Sequence, residues 1–271
     1  MLKNLINYIT GMVRGNKILG SKPKLKNSKI TFSGKNNILF CDKKVKLVNT
    51  NIAFKGDNSI IFLGRGKYCL NVDIFNDSTL HIGSNNYFNP HGKDVSVIIS
   101  EHQNVFIGND NLFSFGICIR TADPHLVYDI ATKKRINHSK SVYIGDHVWL
   151  GQNATILKNT KIHSGSIIGA SSVVTNKELL SNSIYAGNPV KLIKSNIHWD
   201  PKCVHTWKEE KTLENDYITN FDEIYKDEKQ AFISFEEIDS ALKQMTSAKE
   251  RYEYLKVLTQ EQNRFTQTEM V

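Results

Sequence analysis

Among the nine histidines of this 271-residue chain, His125 stands in a segment where an imidazole could do chemistry. The stretch Arg120 to Lys140 is polar and holds Asp123-Pro124-His125, Asp129 and the basic run Lys133-Lys134-Arg135. A neutral imidazole suits proton removal from a hydroxyl at pH 7, because its unperturbed pKa lies near the working pH. Asp123 or Asp129 could hold the second ring nitrogen in one tautomer. Either carboxylate could equally cap its own loop, a backbone carbonyl would also serve, and a solvated loop histidine is the bland alternative. His81, His91 and His102 fall 10 and 11 residues apart, with no close pair of the kind a zinc site needs, so no metal is expected. There is no Walker loop and no GxGxxG after a strand. Cys41, Cys69, Cys118 and Cys203 are scattered without a CxxC pair and read as reduced thiols of a cytoplasmic protein.

The elements that must carry these residues show in a repeat of six. Aliphatic side chains recur at Ile144, Leu150, Ile156, Ile162, Ile168 and Val174, and Gly145, Gly151 and Gly169 directly follow three of them. Two residues before the later members stand Val148, Ala154, Thr160, Ser166 and Ser172, all small or β-branched. Neither the helical period of about 3.6 nor the strand period of 2 requires this. Each hexad instead reads as a short strand and a turn of a parallel β-helix, three hexads to a triangular coil. Trp149 directly precedes an inward residue, so strand alternation turns its indole outward. An outward ring of that size must meet a neighbouring subunit, a ligand or water. His147 faces the same way and has no assigned role.

Upstream the repeat persists in weaker form. A glycine, one or two polar residues and an apolar one recur at Gly34 to Ile38, Gly56 to Ile60, Gly83 to Tyr87 and Gly108 to Leu112. Asn and Gly at these turns tolerate the left-handed backbone that sharp corners need. Residues 30–195 give roughly seven or eight coils of 18 residues. They are interrupted by a loop over 119–141, the kind of extruded segment where rigid repeat folds place function.

The hexads, the loop TADPHLVYD, the segment INHSKSVYIGDHVWLGQNATIL and the terminator YAGNPVKLIK together resemble the left-handed β-helix (hexapeptide-repeat) acyltransferases. Within them the chain is similar to bacterial polysaccharide O-acetyltransferases of the capsule and sialic-acid-polymer type. The resemblance is close over about residues 100–195 and rests on pattern alone upstream. It implies a mainly β, left-handed coil, a homotrimer, and acetyl-CoA in the groove between neighbouring subunits. It implies that His125 is the catalytic base and that Trp149 shapes the acetyl and acceptor pocket beside it, with trimer packing alone as the rival role for the indole. By the same resemblance Ser166, Ala170 and Ser171 line the pantetheine, Lys177, Lys191 and Lys194 meet the phosphates, and Pro189 lies on the adenine side.

The expected activity is acetyl-CoA-dependent O-acetylation of a capsular, anionic polysaccharide or oligosaccharide. Acetylation of a small molecule or an amino sugar nucleotide is the nearest alternative, and a non-catalytic β-helix scaffold is the next. A zinc carbonic anhydrase on the same coil is disfavoured by the histidine spacing. Charge fits the first reading: residues 1–195 hold 25 basic and 11 acidic side chains, and residues 196–271 hold 10 and 16. Nucleic acid is not needed to explain the excess, since no aromatic-basic motif or recognition helix accompanies it.

The flanks divide the chain into an irregular or helical lead-in over 1–29, the coils over 30–195, and a helical cap over 196–271 at the β-helix end or edge. Residues Met1 to Gly15 could touch a membrane surface as a short basic helix, although packing on the main domain is favoured. Ser234 with Glu236 and Glu237 marks a helix start. Ile238, Ala241, Leu242 and Met245 form one stripe, Ala248, Tyr252 and Leu255 a second, and Met245-Thr246-Ser247 reads as their connector. His198-Trp199-Asp200-Pro201 and Trp207 are expected to anchor the linker, with reaching the acceptor site as the alternative.

Overall fold

All six phased aliphatic residues from Ile144 to Val174, and all five side chains two positions before them, are fully buried. The hexad phase is therefore the inside of a solenoid. The computed structural model describes residues 7–90, 95–218, 232–260 and 264–265. Successive strands visit three parallel sheets in turn. The first sheet runs from Tyr8–Thr10 to Val173–Val174, the second from Lys17–Gly20 to Lys177–Leu179, and the third from Lys24–Lys26 to Ile184–Ala186. Each contributes eight strands to the coils, which makes eight turns of a three-sided β-helix, and antiparallel Lys191–Lys194 closes the third sheet.

The interior is a stack of like on like. Phe32 lies on Phe54 at 4.6 Å between centroids, and Phe88 on Phe113 at 4.7 Å. Burying each such side chain contributes about 1.5–3 kcal/mol. Corners are tight enough that identity matters: Asn153 takes φ +57°, and a Cβ on Gly151 would stand 2.7 Å from the Ala170 nitrogen. Buried amides tie coil to coil, as where Asn37 accepts from the Ser59 N–H at 2.8 Å and donates to the Gly56 carbonyl at 2.9 Å.

The lead-in expected over 1–29 is itself coil from Tyr8 onward, because Tyr8–Thr10 pairs in register with Lys29, Ile30 and Thr31. Ile9, Ile18 and Leu25 supply its inward side chains. Leu5 and Ile6 lie outside the described residues.

The C-terminal helices sit on a side of the solenoid, where an end cap had been one expectation. Helix α1 (Glu209–Leu213) buries nothing; α2 (Phe235–Gln244) and α3 (Ala248–Gln260) do the packing. A capping box between Ser234 and Glu237 starts α2. The outer face of the second sheet carries a register-aligned row of Phe40, Phe62, His81, Phe106 and Tyr143. Phe235, Ile238, Leu242, Ala248, Leu255 and Leu258 cover this face. His81 stacks on Phe106 at 4.1 Å, and burial pushes its imidazole down to about 3, so it serves as a neutral member of the row. Polar latches fix the register of the helices: the Tyr143 hydroxyl donates to Asp239 at 2.5 Å, and Arg251 donates to the Asn58 carbonyl at 2.7 Å.

Candidate active site

The loop that carries His125 leaves the first sheet after Cys118–Arg120 and returns at Val142–Ile144 of the second. It is rooted at the corner between those sheets. Its keystone is Asn137, which is buried. The Asn137 side-chain oxygen accepts from the Val127 N–H at 2.9 Å, and its amide donates to the His125 carbonyl at 2.7 Å. The two contacts hold the backbone on both sides of Leu126. Arg135 grips Glu101, on the preceding coil, through two bonds of 2.8 and 2.9 Å, and the Ser139 hydroxyl adds a third at 2.5 Å. These donors, Arg135 first, pull the Glu101 carboxyl from its ordinary 4.5 down to about 2.

Asp123 does not hold the His125 ring. Its carboxylate accepts from Lys158 at 2.5 Å and from Asn137 at 3.3 Å, and the Lys158 contact chiefly holds it below the usual carboxylate range. Asp129 turns back on its own loop and accepts from the Thr132 N–H and hydroxyl at 2.6 and 2.8 Å. Both acids are therefore loop fasteners, and His125 stands exposed with its backbone fixed and its ring projecting.

Trp149 lies elsewhere. It is on the outer face of the third sheet, 37% exposed, as strand alternation requires. Trp199 of the linker packs beside it at 5.9 Å and is itself buried. His147 makes that packing possible. Its ring stacks on Trp199 at 4.0 Å, its Nε2 lies 2.9 Å from the Trp199 carbonyl oxygen, and its own carbonyl accepts from the Trp199 indole N–H at 2.9 Å. The linker is thus anchored by Trp199, and His147 gains a role that sequence reasoning left blank.

The expected coenzyme residues divide. Lys191 and Lys194 are exposed on the same sheet as Trp149. Ala170 and Ser171 are exposed at the turn that follows Ile167–Ile168. Pro189 is exposed after a cis Asn188-Pro189 bond. Lys177 belongs to the last strand of the second sheet, on another side. Ser166 is a correction: it holds the inward small position, is fully buried, and donates to the Leu180 carbonyl at 2.7 Å, so its side chain cannot line an outer groove. Among the described residues no group of three His, Cys, Asp or Glu could hold a metal ion, and His91 lies outside them.

In a three-sided coil, the corner that roots the His125 loop faces away from the third sheet. The root of the His125 loop and Trp149 therefore lie on different sides of one copy. Although the loop is polar in composition, it also leaves apolar side chains in solvent: Leu126, Val127, Tyr128 and Ile136 are exposed, and Ile130 is 95% so. Such a patch marks an interaction surface.

Residues 141–176 match the family of bacterial transferase hexapeptides (six repeats). A polysialic acid O-acetyltransferase of Neisseria meningitidis is 34% identical over 122 residues, which are 45% of this chain and 57% of that protein. A putative lipopolysaccharide biosynthesis O-acetyl transferase of Escherichia coli K12 is 32% identical over 137 residues, 48% of this chain and 67% of the relative. The chain spans from one third to two thirds of the length of these and related curated proteins. The crystal structure of a polySia-specific acetyltransferase, NeuO, superposes with a TM-score of 0.64 at 29% identity, covering 77% of this chain and 95% of that one. Hexads, coil and relatives agree, and the chain belongs to the bacterial hexapeptide-repeat acyltransferases.

Proposed function

We propose that the protein transfers an acetyl group from acetyl-CoA to a hydroxyl of an anionic bacterial surface polysaccharide. The carrying observation is that one chain presents both an exposed, backbone-clamped His125 and an outward Trp149, on a coil similar to polysialic acid O-acetyltransferases. The acceptor hydroxyl gives its proton to His125 as its oxygen bonds to the acetyl carbonyl carbon, the carbon–sulfur bond breaks, and His125 returns the proton to the departing thiolate. Asn137 sets the position of the imidazole through the backbone. Trp149, braced by Trp199, forms an apolar wall that keeps water from the thioester.

Lys191 and Lys194 suit the coenzyme phosphates, and exposed Ala170 and Ser171 leave room for its pantetheine arm. The opposed placement of loop and third sheet, with the exposed apolar loop residues, supports a homotrimer in which His125 of one copy meets Trp149 of the next. No helix among the described residues is long and apolar enough to cross a membrane; the working location is the cytoplasm, at the inner face of the membrane where a nascent glycan is made. The test is incubation with acetyl-CoA and anionic or neutral polysaccharides, followed by mass spectrometry. Addition of acetyl mass to an anionic glycan supports the proposal, and the absence of addition to any glycan refutes it.

A further inference from the structure

The outer face of the third sheet carries a second feature in line with Trp149. Strand register aligns Lys24 with Lys46, Lys46 with Lys67, Lys67 with Tyr87, Tyr87 with Leu112, and Leu112 with Trp149. Neighbouring strands lie about 4.8 Å apart. Three lysines are therefore stacked in one row, and Trp149 follows about 14 Å beyond Lys67 on the same line. All three are exposed, and Tyr87 is 54% exposed.

Among the described residues, none of the three lysines forms an ion pair, and the strands of this face supply no acid. The strands of the third sheet read KLK, KLV, KY, YF, LF, WL, II, IYA and KLIK, without one Asp or Glu. Some lysines elsewhere do meet acids: Lys55, just past a strand of the first sheet, bonds Asp73 at 2.8 Å, and Lys161 of the second sheet pairs with Glu178 and Glu236. Like charges placed opposite one another across strands are destabilising, so a row of three asks for an anion with charges repeated along its length. A single phosphate would satisfy one lysine. A polymer with a carboxylate on each unit would satisfy the row, and the exposed Tyr87 ring offers an apolar face with a polar tip at the next step.

We propose that Lys24, Lys46, Lys67 and Tyr87 form a track that binds a carboxylate-bearing polysaccharide across the strands and leads it to Trp149. Coenzyme and acceptor then approach the indole from opposite ends of the sheet, since Lys194 stands three strand steps beyond Trp149 on the other side. The inference rests on the acetyl-transfer reading and adds the acceptor's location and direction.

The test uses the full chain with K24Q/K46Q/K67Q combined, against K17Q/K29Q/K249Q, which removes equal charge elsewhere. Long polysialic acid, a short sialic acid oligomer and neutral dextran are the probes. The ladder variant is expected to raise KM for the long polymer by about tenfold, at roughly 0.5 kcal/mol for each exposed charge pair. Its kcat and its transfer to the short oligomer stay at wild-type values, its Tm does not fall, its salt dependence flattens, and the control behaves as wild type. Equal KM shifts in both variants, or none in either, would overturn the track. Titration of polysialic acid binding without acetyl-CoA separates the two claims. If wild type binds and the ladder variant does not, the track stands even where no acetyl group is transferred; if both bind alike, the track falls whatever the transfer assay shows.

Discussion

The second and third sheets have the same period, the same parallel register and the same kind of inward residue, yet their outer faces differ completely. On the second sheet the outward positions hold Phe40, Phe62, His81, Phe106 and Tyr143, and two helices cover them. On the third they hold Lys24, Lys46, Lys67, Tyr87 and Trp149, which stay accessible. Inward residues build the coil, and outward residues decide what each side is for. One face is covered by the chain's own helices, and the other stays open, as the proposed ligands and second copy require.

Substitution on the covered face should produce the largest change. Phe106→Ala empties a fully buried ring site and should lower stability by about 3–5 kcal/mol, read by chemical denaturation, with kcat on the surviving folded fraction unchanged. A Tm within error of wild type would mean that the helices add nothing to this face. His125→Ala should do the reverse. Acetyl transfer should fall by at least about 10² while Tm holds, and near-wild-type turnover would remove His125 from the chemistry.

Loop attachment gives a smaller and pH-dependent effect. Glu101 is held at about 2 against an ordinary 4.5, so its contribution is fully present above about pH 4.5 and is lost as pH falls through 2. Limited proteolysis within 121–141 should therefore accelerate over that window, and Glu101→Gln should show the faster cleavage already at neutral pH. Because the pair is partly exposed it contributes about 1 kcal/mol or less, and activity should drop by no more than about fivefold. Cleavage rates indifferent to pH would argue that Arg135 and Ser139 do not fasten the loop. The smallest effect is expected from Asp123→Asn, which weakens the contact of this exposed carboxylate with Lys158 and should cost less than about threefold in kcat. A loss as large as that of His125→Ala would restore Asp123 as the orienting acid.

Much of this could be read without coordinates. The hexads from Ile144 to Val174, the outward Trp149, the loop with His125 and the connector Met245-Thr246-Ser247 all stand where residue spacing puts them. Local period determines which way a side chain points. It does not determine what covers an outward one. The aromatic row meets α2 and α3 from nearly a hundred residues or more along the chain, as the Tyr143–Asp239 bond does, and no local pattern encodes that meeting. The partner of Asp123 was hidden for the same reason, since Lys158 reaches it from the next coil. Ser166, by contrast, was legible and misassigned: its place two before Ile168 already directed it inward. The lysine row was hidden because its members are about 21 residues apart, and only strand register brings them together.

The central claim is that the chemistry assembles between copies, with the loop of one against the third sheet of another. Co-expression of His125→Ala with Trp149→Ala tests it most directly, because each variant alone lacks one half of every site. With random mixing about a quarter of the sites should unite an intact loop with an intact third sheet, and acetyl transfer should recover to that level. Activity no greater than the sum of the separate variants, in particles shown to contain both, would contradict the account.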